Sequence, residues 1–334
     1  MAELLPLITT VVAIIAVSVI GLIIGLLILG IDRKLAAHMQ ARVGPPIIQP
    51  FIDVRKLLLK ENVVPENAIS WLFSAAPVLG LASSLTILLY LPIGGVPAIL
   101  GGSGDVILIM YLLTIPALAM VAGGFASGSP YATVGAQREM ITMISYELPL
   151  ATALIAIAWR LSQEGIAEPF TLAAITSTPI WSVVGPLGLI GCLLLLVVLI
   201  LVTPGELSRV PFDTPEAETE LAGGLLVEYS GRNLAMFYLA QGVKTVVMAS
   251  LIVALFLPWS IAAALPSLGL GGMVLDALFY LVKLLAVIFI AVSLIRVAVA
   301  RFRINQVVTI YWWYVGGIGV LALILLLIDA TGGV

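Results

Sequence analysis

Residues 204–232 read P-G-E-L-S-R-V-P-F-D-T-P-E-A-E-T-E-L-A-G-G-L-L-V-E-Y-S-G-R and carry six carboxylates: Glu206, Asp213, Glu216, Glu218, Glu220 and Glu228. The chain has 18 acidic residues in all, so a third of them fall in this one stretch, with Arg209 and Arg232 as its only cations. Carboxylates held together in a low-dielectric setting repel, which raises the pKa of some and lets them exchange protons near neutral pH. The proline, phenylalanine, leucine and glycine between them give an apolar frame unlike that of a solvated acidic tail. Glu216 and Glu220 have the i, i+4 spacing of one helical face, and Arg209 is placed to pair with Asp213.

Four more ionisable residues interrupt apolar runs. A charged side chain at mid-bilayer costs about 2.5 kcal/mol or more, so each is a candidate for an ion path. Glu147 follows Ser145 and Tyr146, and Glu139 stands eight residues before it. On a continuous helix the two carboxylates are about 12 Å apart along the axis and about 80° apart around it, able to line one wet path without touching. Lys244 and Lys283 are the other two; Lys283 is too deep to reach either surface and calls for an interior partner or water. Asp276 is expected near the outer surface, solvated.

The elements that must hold these groups are membrane helices. Charged residues are 10% of the 334 and hydrophobic ones 62%, against roughly 25% charged in a soluble domain. Mean hydropathy is +1.22. The net charge of −3 supplies no basic field for nucleic acid. A lone cysteine, Cys192, and a lone histidine, His38, exclude an intrachain disulfide, a cysteine-ligated cluster and a multi-histidine metal site, so any redox cofactor must lie in another chain. The apolar run from Leu4 lacks a cationic leader and is too long for a signal peptide, so it is expected to be a retained helix.

Eight segments are long and apolar enough to span a bilayer: about 4–30, 70–91, 106–125, 140–159, 183–203, 234–258, 272–295 and 309–328. The expected fold is an all-α polytopic membrane protein, a single domain over 1–334. Its long connections lie at about 31–69, 126–139, 204–233 and 296–308. Lysine and arginine concentrate in cytoplasmic loops, and 12 of the 15 cations fall in those four connections. Both termini are therefore expected outside and the acidic stretch on the cytoplasmic side of the cell membrane. In the first loop, Phe51, Val54, Leu57 and Leu58 recur at helical spacing after Pro45, Pro46 and Pro50, marking a short amphipathic helix at the membrane interface.

Three motifs resemble one family. E-L-S-R-V-P-F-D-T-P-E-A-E-T-E-L with the following V-E-Y-S-G is similar to the loop after helix 5 in the H subunit of respiratory complex I, the NADH-quinone oxidoreductase. G-A-Q-R-E-M-I-T-M-I-S-Y-E-L-P (135–149) resembles that family's entry into helix 4, and D-R-K-L-A-A-H-M-Q-A-R-V-G-P-P-I-I-Q-P-F-I-D-V-R-K-L-L-L-K-E (32–61) its first loop. The resemblance implies a subunit that joins a redox arm to ion-pumping membrane subunits. It also implies that Glu147, Glu206, Asp213, Glu216, Glu218, Glu220 and Glu228 belong to a carboxylate path and its gating loop, with Arg209 as their cationic partner. Arg42, Gln49, Pro50, Asp53 and Lys56 would face the peripheral arm or border a quinone-like cavity.

Two departures refine the resemblance. The compact R-V-G-P-P-I-I-Q-P, together with Arg138-Glu139-Met140, looks like the branch of membrane-bound, energy-converting hydrogenases, where a full quinone chamber is in question. Gln241 stands where complex I has a glutamate, so the path either bypasses it or recruits Lys244. The resemblance then implies a subunit with no cofactor of its own, beside partners carrying iron–sulfur clusters and a possible Ni-Fe centre. Those partners would be peripheral iron–sulfur and hydrogenase-like large subunits, small membrane subunits and antiporter-like subunits, moving protons or sodium ions. The rival expectations are a quinone-chamber subunit of a quinone-reducing complex and a passive membrane anchor for the redox arm.

Overall fold

A computed structural model describes residues 4–261 and 270–332. Among these, eight helices are long and apolar enough to cross a membrane. They are α1 (Leu4–Met39), α3 (Ser70–Tyr90), α4 (Asp105–Ala126), α5 (Pro130–Gln163), α7 (Pro186–Glu206), α9 (Gly231–Phe256), α10 (Gly271–Ala298) and α11 (Ile304–Gly332). Three short helices lie between them: α2 (Gln49–Leu59), α6 (Leu172–Ser177) and α8 (Glu218–Leu221). Helices are the forced solution, because lipid offers no partner for a backbone N–H or C=O and a helix satisfies both internally.

α9 is the axis of the bundle. Residues 242–256 are buried without a break, and α1, α3, α10 and α2 pack around it. α5, α7 and α11 form a second group, and α4 bridges α3 and α5. α10 and α11 each contain one π-helical turn, Phe289–Leu294 and Ile310–Val315. Such a turn adds a residue to the helix and redirects the side chains beside it.

Two expected boundaries move in ways that matter. α5 begins at Pro130 rather than near 140, so Arg138 and Glu139 are helical residues and not loop. α7 runs to Glu206, making that glutamate the last residue of a membrane helix. Pro130 and Pro186 open their helices, where the missing N–H costs nothing.

α2 forms over the expected stretch and also packs inward. Pro50 and Val54 are buried, and Val54 packs with Leu26 and Leu29 of α1, with Phe51, Tyr238 and Leu239 alongside. Leu58 and Leu59 are exposed. The apolar face of α2 therefore docks first on the bundle, because α1 and α9 present a complementary apolar wall there.

Candidate functional site

The site lies where α5, α7 and α9 meet the loop of residues 207–230. α7 ends at Glu206, Ser208 turns the chain with a positive φ of 47°, and a cis Val210–Pro211 bond follows. Phe212 is then caught between Tyr311 and Phe302, with ring centroids 4.8 and 5.6 Å away. A single-turn 3₁₀ element, Thr214–Glu216, and α8 come next. The loop crosses α5 at Gly135, where an added Cβ would stand 2.6 Å from the Leu225 nitrogen. Gly224 has φ +56°, and a Cβ there would lie 1.9 Å from the Pro215 carbonyl oxygen. Only glycine serves at either position, for want of space and, at 224, of backbone freedom.

Three ties hold the loop down. Arg301 makes a forked contact with Asp213, donating from Nε at 2.8 Å and Nη2 at 2.6 Å. Arg138 donates from Nη1 to Glu220 at 2.5 Å and to the Thr214 carbonyl at 3.3 Å. Tyr229 stacks on Phe73 at 4.1 Å and donates to its carbonyl at 3.0 Å. Under this lid is a cavity walled by Glu206, Ser208, Glu216, Gln241, Lys244, Gly80 of α3 and apolar side chains from α4, α9 and the loop. It leaves about 30 Å³ for water centres, enough for one or two waters and too little for a quinone ring.

Lys244 and Glu206 form the floor of this cavity, with Nζ 2.7 Å from Oε1 and both side chains almost wholly buried. The two atoms are close as an ion pair but not aligned as a hydrogen bond, and neither has another protein partner. Glu139, from α5, is buried one step away; Ser208 Oγ donates to its Oε2 at 3.5 Å, and its Oε1 has no protein partner. The Tyr146 hydroxyl and Thr214 Oγ1 are likewise buried without protein partners. Buried polar atoms are costly unless hydrogen-bonded, so this arrangement calls for water between them.

The sequence-predicted residues separate into groups. Glu139, Glu206, Glu216 and Lys244 converge on the cavity or its wall. Glu147 lies half-buried farther along α5, within electrostatic reach of Glu206. Glu218 is exposed and Glu228 half-buried, neither of them on the cavity wall. Glu216 and Glu220 do not share a face: the chain breaks at Ala217, and Glu220 turns outward to Arg138. Arg209 does not pair with Asp213, which Arg301 takes; it is half-buried and acts electrostatically on Asp32 and Glu216.

Two further expectations are corrected. Lys283 belongs to the opposite end of the bundle, where its ammonium donates to the Leu257 and Trp259 carbonyls at 2.8 and 2.5 Å and lies over the Phe279 ring. It caps α9, since a cation satisfies carbonyls that a helix end leaves open. Asp276 is not solvated; it is buried and accepts from the Ile261 backbone N–H at 2.5 Å.

At the first loop, Arg42 and Lys56 are exposed and Pro50 is buried. Asp53 accepts from Gln49 at 2.7 Å and from Arg33 at 3.1 Å, tying α2 to α1. Sequence reasoning singled out none of Arg33, Arg301, Ser208 and the buried Asp32. Asp32 accepts from Ser293 in the π turn at 2.6 Å and from Arg296 at 3.1 Å. An aspartate at the end of an apolar run was the available signal.

Outside the membrane-spanning segments, burial pushes the Glu216 carboxyl up, with Arg209 opposing and Asp213 and Glu218 adding to the rise. The Arg138 hydrogen bond holds Glu220 below the usual carboxylate range. Burial lowers Arg209, and the Asp213 hydrogen bond raises Arg301. The loop thus carries a carboxylate tuned toward protonation on its inner side and one fixed as an anion on its outer side. Among the described residues, no group of three or more His, Cys, Asp or Glu could hold a metal ion.

Comparison with known proteins adds to this geometry. Residues 11–327 match the family described as NADH dehydrogenase. The chain is 31% identical over 318 residues to NADH-quinone oxidoreductase subunit 8 of Rhodothermus marinus, covering 88% of this chain and 89% of that one. It is 34% identical over 298 residues to hydrogenase-4 component C of Escherichia coli K12, covering 89% and 90%. A chain from the membrane-bound sulfane sulfur reductase, an archaeal respiratory membrane complex, superposes with a TM-score of 0.81 at 26% identity, covering 95% of this chain and 99% of its own.

Proposed function

Because the chain belongs to the NADH dehydrogenase family, we propose that it is the membrane subunit that couples a redox arm to ion translocation in a hydrogenase-type relative of complex I. It is a multi-pass protein of the cell membrane. In this reading the loop-bearing end faces the cytoplasm and the peripheral arm, whose iron–sulfur and hydrogenase-like large subunits carry the redox centres. The other membrane subunits, small ones and antiporter-like ones, continue the path.

The observation that carries the reading is the Lys244–Glu206 pair buried at 2.7 Å beneath the acidic loop. A lone ammonium here stabilises one carboxylate charge, and two carboxylates, Glu206 and Glu139, lie within its electrostatic reach. Removing either member of a buried pair leaves an uncompensated charge, so proton movement and lysine position are bound together. A charge change or displacement at the loop reaches the pair through Glu216 and Ser208, which wall the same cavity. The proton then has Glu139 and Glu147 on α5 as successive stations, separated by about two helical turns and bridged by water.

Gln241 takes no proton in this scheme; its amide donates to the Leu207 carbonyl at 3.3 Å and steadies the turn above Lys244. The compact R-V-G-P-P-I-I-Q-P loop and the likeness to hydrogenase-4 component C support the hydrogenase-type reading over a quinone chamber.

The test is ion uptake per electron by the intact complex in proteoliposomes, followed for protons and for sodium. Glu206→Gln and Lys244→Met are expected to leave electron transfer running while ion uptake falls about tenfold, the effect of one charge-assisted contact. Undiminished uptake in both variants, and in Glu139→Gln, would leave the chain as a passive anchor. Quinone-dependent turnover blocked by a cavity-filling inhibitor would favour the quinone reading.

A further inference from the structure

The turn at residues 207–210 has two faces. Leu207 and Ser208 wall the carboxylate cavity, while Val210 walls a separate open pocket of about 360 Å³ at the end of α1. That pocket is lined by three arginines, Arg33, Arg42 and Arg296, with Gln40 and Val43 between them. From this juxtaposition we propose that the pocket binds the phosphate group of an anionic phospholipid.

Charge is the first argument. Arg33 is paired with Asp53 and Arg296 with Asp32, each at 3.1 Å. Arg42 has an amide partner, Gln40, and enters no ion pair among the described residues. Three guanidinium groups thus line the pocket against two carboxylates, and Arg209, shared between Asp32 and Glu216, stands within electrostatic reach of Arg33 and Arg296, so positive charge is left over for a phosphodiester. Arginine suits that group because its planar fork donates two parallel N–H bonds to phosphate oxygens. The pocket is also within the usual size range for small-ligand sites.

Position is the second argument, and it selects a lipid over a soluble anion. The pocket begins at Arg33, one residue beyond the buried Asp32, where α1 ceases to be continuously apolar. Val43 in its wall is fully exposed, and Met39 and Ile48 close by are 40% and 61% exposed. Below it, Ile20, Ile23 and Leu27 of α1 are exposed along the membrane-spanning part of the helix, a track for acyl chains. Basic pockets between helices at a bilayer surface bind anionic head groups in this way.

The inference does not depend on the ion path, and its test reads lipid binding alone. Delipidated complex is titrated with phosphatidylglycerol or phosphatidylcholine and bound lipid is counted by native mass spectrometry. The expected result is preferential retention of phosphatidylglycerol, weakened about tenfold by Arg42→Gln, as for one lost charged contact. Arg296→Lys keeps the charge beside Asp32 but loses the fork, and is expected to weaken retention to a lesser degree. Lys60→Gln, at the exposed end of α2, is expected to have no effect. Equal retention of both lipids, or unchanged retention in Arg42→Gln, overturns the assignment. So does loss of the peripheral arm in Arg42→Gln with lipid retention intact, which would mark a protein contact instead. If inorganic phosphate shields Arg42 from phenylglyoxal and phosphatidylglycerol does not, the site takes a soluble anion and the lipid assignment falls.

Discussion

Glu216 and Glu220 stand four residues apart in the sequence and end in different environments, one half-buried in the wall of Lys244's cavity and one exposed on Arg138. The pH dependence of the loop follows from that difference. For Glu216 the folded state holds the proton more tightly than the unfolded chain does, so its contribution to stability is complete at low pH. It is lost as pH rises through the raised folded pKa. Glu220 works in the opposite sense: its contribution is present above the ordinary carboxylate pKa and lost as pH falls, and solvent exposure keeps it small. The protection factors of residues 213–227, with the intrinsic pH dependence of exchange divided out, are therefore expected to fall as pH rises above the ordinary carboxylate range. In Glu216→Gln that fall should be largely absent. The same fall in both proteins would remove Glu216 from the cavity wall. Residue types and spacing alone pointed to Glu139, Glu206, Glu216 and Lys244, since charge inside an apolar run is costly and therefore conspicuous. They misassigned Asp213 and Lys283 because partners such as Arg301 and the Trp259 carbonyl lie far off in sequence and meet them only in the fold.

The loop of residues 207–230 is an element with little regular structure, held by side chains rather than by its own ladder. The Asp213–Arg301 fork links it to the segment between α10 and α11, and Phe302 N donates to the Pro211 carbonyl at 3.0 Å beside it. Arg301→Ala leaves Asp213 poorly paired while Phe212 keeps its place against Tyr311. The expected cost is about 1–3 kcal/mol, that of an orphaned charged hydrogen-bonding group. It should appear as faster hydrogen exchange confined to residues 211–221, with α9 unchanged. Arg301→Lys, keeping the charge without the fork, is expected to fall between. Exchange that is unaltered in Arg301→Ala would mean that the apolar contacts hold the loop alone. Helix existence was legible at this scale from apolar length. Helix ends were less so: apolar periodicity carries no mark at Glu139 or Glu206, and the polar ends of α5 and α7 stay helical because the loop and α9 pack against them.

At the scale of the whole molecule, the loops after α1, α4, α7 and α10 lie at one end. Ile69 N donates to the Ala126 carbonyl, Val63 N to Ser230 Oγ, and Arg301 to Asp213. Twelve of the 15 cations belong to this end by sequence, so it is proposed to face the cytoplasm. A single cysteine added near residue 3 or residue 333 should then label from the outside of intact cells, and one replacing Ser103 likewise. A cysteine at Lys60 should label only in inverted vesicles; labelling in the opposite pattern would reverse the assignment.

The all-α membrane class, the eight spans and the loop that gathers the acids were determined by the sequence by itself. They depend on local quantities: apolar length against bilayer thickness, and the cost of charge in lipid. Which carboxylates share a cavity, that Lys244 sits against Glu206, and that one short turn separates that cavity from an arginine pocket were decided only by the tertiary structure. Those facts depend on contacts between residues tens to hundreds of positions apart, and no local pattern records which distant partner will arrive.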